Sequence, residues 1–275
     1  MIIKTNDYTP SFLSEPEKNG FAMFGGLVKL DRSNLICIAA RPGMGKTALE
    51  LHMALEYAKK CGKRVHILTL EMSAEQIYSR MLCYLSEVDT YSMRKKKFSP
   101  EEKKRIEEAI DVLGGLDIII DDETSLSIRQ IEERLEKSDG EDEIGMIVID
   151  YLELVQPVSP ITNRKQELAE ILRRLKRLAE KRNIPVIVAA KLWRDIEHRK
   201  DKHPMLSDFA RVSDYLPDTV VFPYRDEYYN AECNDSEDFT KAEIIVAKNS
   251  HGSTGTLKYK WQGRYAKFSE IKEKT

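Results

Sequence analysis

The sequence predicts an α/β fold in which a mostly parallel β-sheet is covered by helices on both faces. Short apolar runs alternate along the chain with longer segments of helical periodicity. The runs are apolar throughout, as is typical of parallel strands buried on both faces. Polar residues follow several runs directly, and parallel sheets collect their functional residues at the carboxyl ends of the strands. We therefore expect a functional site along one edge of this sheet.

The predicted elements follow an irregular lead-in over Met1–Phe24, where two Pro and one Gly interrupt helix formation. The predicted strands, of which the last are expected to be antiparallel, are Leu35–Ala40, Val65–Leu70, Leu116–Ile120, Met146–Ile149, Val186–Ala190, Thr219–Tyr224, Ala242–Lys248, Thr256–Trp261 and Tyr265–Ser269. Helices are predicted at about Thr47–Cys61, from near Ser73 onward, at Ser99–Leu113, at Ser127–Lys137 and at about Lys165–Arg182. An acidic loop is predicted at Asp139–Glu143. Ser73 and Ser99 are expected to cap their helices, and Gln76 completes a capping box with Ser73.

The turn after the first strand has the pattern of a phosphate-binding loop. It reads Arg41-Pro42-Gly43-Met44-Gly45-Lys46-Thr47-Ala48, between a strand and a helix. Its glycines let backbone N–H groups point at phosphate oxygens, beside the positive end of the helix. Lys46 would reach the β- and γ-phosphates of ATP, and the Thr47 hydroxyl would hold Mg²⁺. The strict pattern has Gly in place of Ala40, and a glycine-rich turn before a surface helix is the alternative, but the context favours nucleotide binding.

Three further polar residues follow apolar runs. Asp150 ends the run Met-Ile-Val-Ile-Asp, which has the form of a Walker B strand whose carboxylate binds Mg²⁺ through water. Glu71 is interpreted as the general base that orients water toward the γ-phosphate, the alternative being a favourable charge near the start of the next helix. Lys191 follows the fifth strand, where an ordinary surface lysine is the alternative.

The composition favours a soluble cytoplasmic protein without a membrane segment. No apolar run approaches the ~20 residues that a membrane helix needs, and the polar N-terminus is not a signal peptide. The four Cys and five His show no spacing typical of metal ligands.

The formal net charge of −2 conceals an uneven distribution. The segment Arg164–Lys202 contains thirteen Lys or Arg against six Asp or Glu, and Asp226–Asp238 contains six acidic residues and no basic one. A basic segment of this kind is usually a solvated helix face, and the alternative is a contact surface for nucleic acid.

Several blocks of sequence carry a resemblance to a known family. They are Ala39–Thr47, Leu68–Gln76, Ile149–Leu154, Leu175–Ala179, Arg194–Pro204, Tyr224–Tyr229 and Gly252–Thr256. With these blocks the chain, from about Gly25 to Phe268, resembles the C-terminal, RecA-like ATPase domain of DnaB-type replicative DNA helicases. The resemblance implies a RecA-like P-loop NTPase core over residues 25–275, after the irregular segment 1–24.

The resemblance also implies an assembly and roles for particular residues. It implies a ring, usually of six subunits, with ATP between neighbours and single-stranded DNA in the central channel. Lys46, Thr47, Glu71 and Asp150 keep the catalytic roles given above. The family carries a further N-terminal domain, whereas about 25 residues precede the ATPase core here.

Three departures from the family pattern stand out. Lys191 replaces the Gln that senses the γ-phosphate. The arginine finger falls on Ser250, so that Lys248 would be the remaining cation offered to a neighbouring subunit. The DNA-gripping loop reads Asp208–Ser213 and is about one residue shorter. Arg164, Lys165 and Arg211 are our candidates for contacts with DNA phosphates.

The leading hypothesis is an ATP-dependent DNA helicase, or DNA-translocating ATPase, of the DnaB type, which acts in DNA replication with ATP and Mg²⁺. The alternative is an ATP-binding assembly or regulatory factor that hydrolyses slowly and joins a host replicative helicase. A RecA-like regulatory or recombination ATPase outside replication is a third hypothesis, which the block Asp150–Leu154 disfavours.

Overall fold

The computed structural model of the protein describes residues 21–30, 33–137, 144–229 and 240–271. Its strands are β1 Ala22–Met23, β2 Val28–Lys29, β3 Leu35–Ala40, β4 Arg64–Thr69, β5 Ile118–Asp121, β6 Ile144–Asp150, β7 Val186–Lys191, β8 Thr219–Arg225, β9 Thr240–Asn249, β10 Gly255–Gln262 and β11 Lys267–Glu270. Its α-helices are α1 Lys46–Cys61, α2 Ala74–Ser86, α3 Thr90–Lys95, α4 Pro100–Gly114, α5 Ile128–Lys137, α6 Arg164–Arg182 and α7 Leu206–Phe209. Short 3₁₀ turns cover Leu152–Leu154, Arg194–His198, Asp226–Tyr228 and Gly263–Tyr265.

One nine-stranded sheet forms the centre of the fold, in the order β11-β10-β9-β8-β3-β7-β6-β4-β5. The strands from β8 to β5 pair in parallel. The strands β9, β10 and β11 extend the sheet from β8 in antiparallel pairs. The predicted fold class, a mostly parallel sheet with antiparallel C-terminal strands, is therefore confirmed.

Two apolar cores lie on the two faces of the sheet. Along β3, Ile36 and Ile38 face one core, which α1, α2 and α4 cover. Leu35 and Cys37 face the other core, which α5 and α6 cover. All six residues of β3 are buried. This explains why the strand reads as an uninterrupted apolar run, since neither face meets water.

The predicted helix starts are confirmed at α2 and α4. The Ser73 side chain accepts a hydrogen bond from the backbone N–H of Gln76, whose side chain accepts one from the backbone N–H of Ser73. Ser99 and Glu102 form the same reciprocal pair at α4. Each pair satisfies two backbone donors that the first turn of a helix leaves without partners.

The structure differs from the predicted elements at several places. Ala22–Met23 was expected to be irregular, but it pairs with Val28–Lys29 in a short hairpin, which burial of Phe24 stabilises. Tyr265 belongs to a 3₁₀ turn, so the last strand begins two residues later than predicted. Residues 1–20 of the expected lead-in, the acidic loop Asp139–Glu143 and residues 230–238 of the acidic segment lie outside the described residues.

Among the helices that the structure describes, none combines the length and the apolar character needed to cross a membrane.

Candidate active site

The loop between β3 and α1 has a backbone conformation that requires glycine at two positions. Gly43 has φ 83° and Gly45 has φ 94°, and both values lie in the left-handed region. A Cβ atom at Gly43 would lie 2.8 Å from the Tyr228 ring, and one at Gly45 would lie 2.9 Å from the Phe268 ring. Gly45 also caps α1 without a side-chain hydrogen bond. The first N–H groups of α1 are thus open to an anion, as a phosphate-binding loop requires.

Two arginine side chains hold this loop in place. Arg41 donates from Nε to Glu197 Oε1 at 2.8 Å and from Nη1 to the Leu192 carbonyl oxygen at 2.8 Å. Arg225 donates from Nη1 to the Gly43 carbonyl oxygen at 2.8 Å. The Arg41 side chain therefore points toward these partners, and its part in nucleotide binding would come from the loop backbone.

Lys46, Thr47 and Asp150 converge at the carboxyl ends of β3 and β6. Lys46 is 9% exposed, and its Nζ donates to the Ala40 carbonyl oxygen at 3.3 Å. Thr47 Oγ1 donates to Asp150 Oδ2 at 2.8 Å. Burial lowers the pKa of Lys46 and raises that of Asp150, while the Thr47 hydrogen bond opposes the shift at Asp150. The hydroxyl and carboxylate of this pair are hard oxygen donors of the kind that Mg²⁺ prefers.

Glu71 and Lys191 lie beside this group. Glu71 follows β4 and keeps 55% of its side chain exposed. Lys191 pairs in register with Ala40, and its Nζ lies 3.9 Å from Glu71 Oε1 and 3.6 Å from the centre of the Tyr151 ring. The predicted polar residues at the strand ends are therefore brought together at one edge of the sheet.

These residues line an open cavity of about 880 Å³. The lining also includes residues from α2, α3, β10 and the β10–β11 turn, among them Arg80, Arg94, Lys96 and Trp261. No role was predicted from the sequence for these four residues. The sequence could have indicated Arg80, because it lies one helical turn after Gln76 on a predicted helix that begins just after Glu71. For Arg94 and Lys96 the helix itself was not predicted.

Two buried acidic residues lie close to the cavity. Glu153 Oε1 accepts a hydrogen bond of 2.7 Å from the Lys191 backbone N–H, and burial raises the pKa of Glu153. Glu50 is 1% exposed, and neither of its carboxyl oxygens has a hydrogen-bond partner among the described residues. Burial raises the pKa of Glu50 well above its usual range, because removal from water disfavours the charged carboxylate.

Lys248 and Ser250 lie at the other end of the parallel strands. Lys248 Nζ donates to the carbonyl oxygens of Pro217 and Asp218 and, at 2.9 Å, to Ser250 Oγ. Asp218 directly precedes β8, and its carboxylate accepts a hydrogen bond from the Leu35 backbone N–H at the start of β3. Burial lowers the pKa of Lys248. The two residues therefore lie too far from this chain's own phosphate loop to act there.

The three candidate DNA contacts are engaged in ion pairs. Lys165 Nζ lies 2.8 Å from Asp214 Oδ1, and Arg211 pairs with Asp195. Arg164 pairs with Glu167 and donates from Nη2 to the Glu153 carbonyl oxygen at 2.6 Å. A nucleic-acid phosphate would have to compete with these partners.

Comparison with known proteins gives consistent matches. The sequence pattern of the family described as DnaB-like helicase C terminal domain matches residues 20–270. The replicative DNA helicase DnaB of Geobacillus stearothermophilus is 40% identical over 246 residues, and the replicative DNA helicase DnaC of Bacillus subtilis (strain 168) is 37% identical over 246 residues. Each match covers 88% of this chain and 54% of the relative, so the chain spans about half the length of these curated relatives.

Solved structures agree in fold. One of them, described as an ATPase domain, has a TM-score of 0.80 at 30% sequence identity, covering 88% of this chain and 86% of that one. A DnaB-like replicative helicase, described with its interactions with primase, has a TM-score of 0.81 at 29% identity, covering 88% of this chain and 58% of that one.

Proposed function

Because the chain belongs to the family of DnaB-like helicase C-terminal domains, we propose that it is the ATPase motor of a DnaB-type replicative DNA helicase. In this proposal it binds ATP with Mg²⁺, translocates on single-stranded DNA as a ring of identical subunits and works in the cytoplasm. The observation that carries the proposal is the Thr47–Asp150 hydrogen bond of 2.8 Å beside a glycine-dependent phosphate loop and the buried Lys46.

The residues of the cavity suit hydrolysis of a nucleoside triphosphate. Lys46 would bind the β- and γ-phosphates, and Thr47 and Asp150 would hold Mg²⁺, which offsets negative charge on the phosphates when bound. Glu71 would accept a proton from water as the water oxygen bonds to the γ-phosphorus and the bond to the bridging oxygen breaks. ADP would leave with that electron pair. Glu71 suits this role because it is exposed to solvent and close to Lys191 and Asp150.

Lys191 occupies the sensor position in this proposal. The Lys191 backbone is fixed next to the phosphate loop, since it pairs with Ala40 and donates to Glu153. Its ammonium group would respond to the γ-phosphate as a point charge. Lys248 would act on a neighbouring subunit, provided that it leaves its contacts with Pro217, Asp218 and Ser250.

A second candidate function is supported by the residues at the opposite end of the sheet. Ser250 offers no charge to a neighbouring site, and Lys248 is held by its own chain. These features suit an ATP-binding assembly or regulatory factor that joins a host replicative helicase and hydrolyses slowly. Steady-state ATPase assays with and without single-stranded DNA separate the two functions, since DNA stimulates a translocating motor.

Nucleotide binding is tested by Lys46→Ala, measured by calorimetry with Mg-ATP. We expect a loss of affinity of at least about tenfold, because the phosphates keep the backbone donors but lose a charge-assisted partner. Lys59→Ala, on the exposed side of the same helix, is the matched control and should bind like the wild type. Equal affinity in the wild type and Lys46→Ala would refute the phosphate-loop assignment.

A further inference from the structure

The turn after β7 carries an exposed tryptophan. Trp193 is 57% exposed, whereas Trp261, the second of the two tryptophans in the sequence, is 7% exposed. Among the described residues, the Trp193 ring has no aromatic or cation–π contact, and its indole N–H has no hydrogen-bond partner. Both the apolar face and the polar edge of this ring are therefore available to a partner.

The backbone on both sides of Trp193 is fixed. Before it, the Leu192 N–H donates to the Ala40 carbonyl oxygen at 3.1 Å, and the Leu192 carbonyl oxygen accepts a hydrogen bond from Arg41. After it, a 3₁₀ turn buries Ile196. The ring is thus presented by an ordered segment, which reduces the conformational entropy that is lost when a partner binds.

The acidic residues that follow Trp193 already have partners. Residues 193–211 contain four of them, and each accepts a hydrogen bond from another residue of the same segment or of the phosphate loop. The pairs are Asp195 with Arg211, Glu197 with Arg41, Asp201 with His203 and Asp208 with Arg199. Arg194 and Lys200 are exposed and have no acidic partner in the described chain. The unpaired charge of this surface is therefore positive, which favours a polyanion.

Trp193 also lies beside one of the candidate DNA contacts. Asp195, two residues after Trp193, pairs with Arg211 of the loop Asp208–Ser213. Two residues of chain span at most about 7 Å, so Trp193 and Arg211 belong to the same part of the surface. A strand that contacts Arg211 through a phosphate would bring its bases near Trp193. Single exposed apolar side chains are common on proteins, but Trp193 combines exposure with an ordered backbone and a positive surface.

We infer that Trp193 stacks on an unpaired base of the single-stranded DNA that the protein binds. The inference rests on the proposed function and adds a base contact to the phosphate contacts considered above. Every base has an aromatic face, so this contact would not depend on the DNA sequence. The bases of a duplex are stacked on one another, so Trp193 would favour single-stranded over double-stranded DNA.

Binding of two kinds of strand tests the stacking. Fluorescence anisotropy would compare labelled oligo-dT with an abasic strand of the same length, which keeps the phosphates but lacks the bases. Both are measured with a fixed concentration of Mg-AMPPNP, a non-hydrolysable analogue of ATP. For Trp193→Ala we expect affinity for oligo-dT to fall at least about fivefold and affinity for the abasic strand to change less than about twofold, since stacking on one base is lost. The slope of log affinity against log salt should equal that of the wild type, because no phosphate contact is removed.

The fluorescence of Trp193 gives a second measurement. Because Trp261 is buried, quenching by oligo-dT should come from Trp193. Trp193→Phe should lose this quenching but keep most of the affinity, since phenylalanine also stacks on bases. Tyr91→Ala, at an aromatic side chain that is 60% exposed on α3, is the matched control and should bind both strands like the wild type. Thermal unfolding and sedimentation compare the folding and assembly of each variant with those of the wild type.

The outcomes separate this inference from the proposed function. If the wild type does not bind oligo-dT, the DNA-binding part of the proposed function is wrong and the inference is wrong with it. If the wild type binds oligo-dT and Trp193→Ala binds it equally well, or loses affinity for both strands alike, the inference is wrong and DNA binding stands. Loss of assembly in Trp193→Ala would also overturn the inference, because it would show that the ring packs against a neighbouring chain.

Discussion

At the scale of single residues, the cavity depends on side chains that the fold forces into unusual surroundings. The two loop glycines meet the rings of Tyr228 and Phe268 at distances that leave no room for a Cβ atom. Lys46 is buried against backbone carbonyl oxygens, and Glu50 is buried without a hydrogen-bond partner in the described chain. A bound polyphosphate would supply a negatively charged partner for the Lys46 ammonium group. Nucleotide binding should therefore stabilise the folded protein.

His52 on α1 gives a prediction on pH. Its ring lies near Phe24 and Tyr84, and its Nδ1 is buried without a hydrogen-bond partner among the described residues. Burial lowers the pKa of His52 from 6.5 to about 4. Between these two values the unfolded chain binds a proton that the folded chain does not, so the free energy of unfolding should fall as the pH falls.

The measurement is urea unfolding at pH 7 and pH 5. For the wild type, His52 should contribute a loss of about 1–2 kcal/mol between these values. His52→Phe should remove this contribution, whereas His251→Phe, at an exposed turn, should leave it unchanged. The same pH dependence in all three proteins would show that His52 is not responsible.

At the scale of secondary-structure elements, the sequence predicted the strands whose burial produces an apolar run. The predicted bounds of β3 match those observed, and β7 differs by a single residue, because each strand is an apolar run that both cores cover. The capping box at Ser73 was predicted because it depends on local chemistry alone.

The elements that were missed lack such a pattern. Helix α3 has no buried residue, so it carries no apolar periodicity. The hairpin of β1 and β2 consists of two-residue strands, and it is held by burial of Phe24 and Val28, which depends on distant parts of the chain. For the same reason the sequence led to Lys46, Thr47 and Asp150 but not to Arg94, whose place in the cavity requires α3.

Helix α6 gives a prediction on DNA binding. Its first residues, Arg164 and Lys165, pair with Glu167 and Asp214, so DNA would gain less from them than from unpaired cations. If both contact phosphates, reversing both to Glu should reduce the slope of log affinity against log salt for single-stranded DNA by about 1.4, at roughly 0.7 for each contact. The loss should be similar for DNA of any sequence, as expected for phosphate contacts.

Fluorescence anisotropy at several salt concentrations provides this measurement. Lys181→Glu, at the other end of α6, is the matched control, and its slope should equal that of the wild type. An unchanged slope in the double reversal would indicate that the start of α6 is a solvated surface.

At the scale of the whole molecule, the parallel sheet separates two sets of residues. The carboxyl ends of its strands hold Lys46, Asp150 and Lys191, whereas Lys248 and Ser250 lie at the opposite ends. Residues of the second set act on a phosphate only if another copy of the chain brings its own phosphate loop to them. Any contribution from them therefore depends on assembly.

Ser250→Arg tests this division. An arginine that reaches a neighbouring site is worth on the order of 10³–10⁵ in rate, because its planar cation meets charge that develops on the transferring phosphoryl group. The wild type should hydrolyse ATP weakly. Ser250→Arg should raise turnover at least about tenfold, and the increase should appear as the protein concentration rises, since it requires two chains.

Lys248→Ala should lower wild-type turnover less than about tenfold, because a lysine lacks the bidentate fork of an arginine and Lys248 is held by its own chain. ATPase assays over a range of protein concentration, together with sedimentation of each variant, measure both effects. Ser250→Ala is the control for loss of the Lys248 hydrogen bond. If Ser250→Arg assembles without faster turnover, position 250 does not face a neighbour's nucleotide.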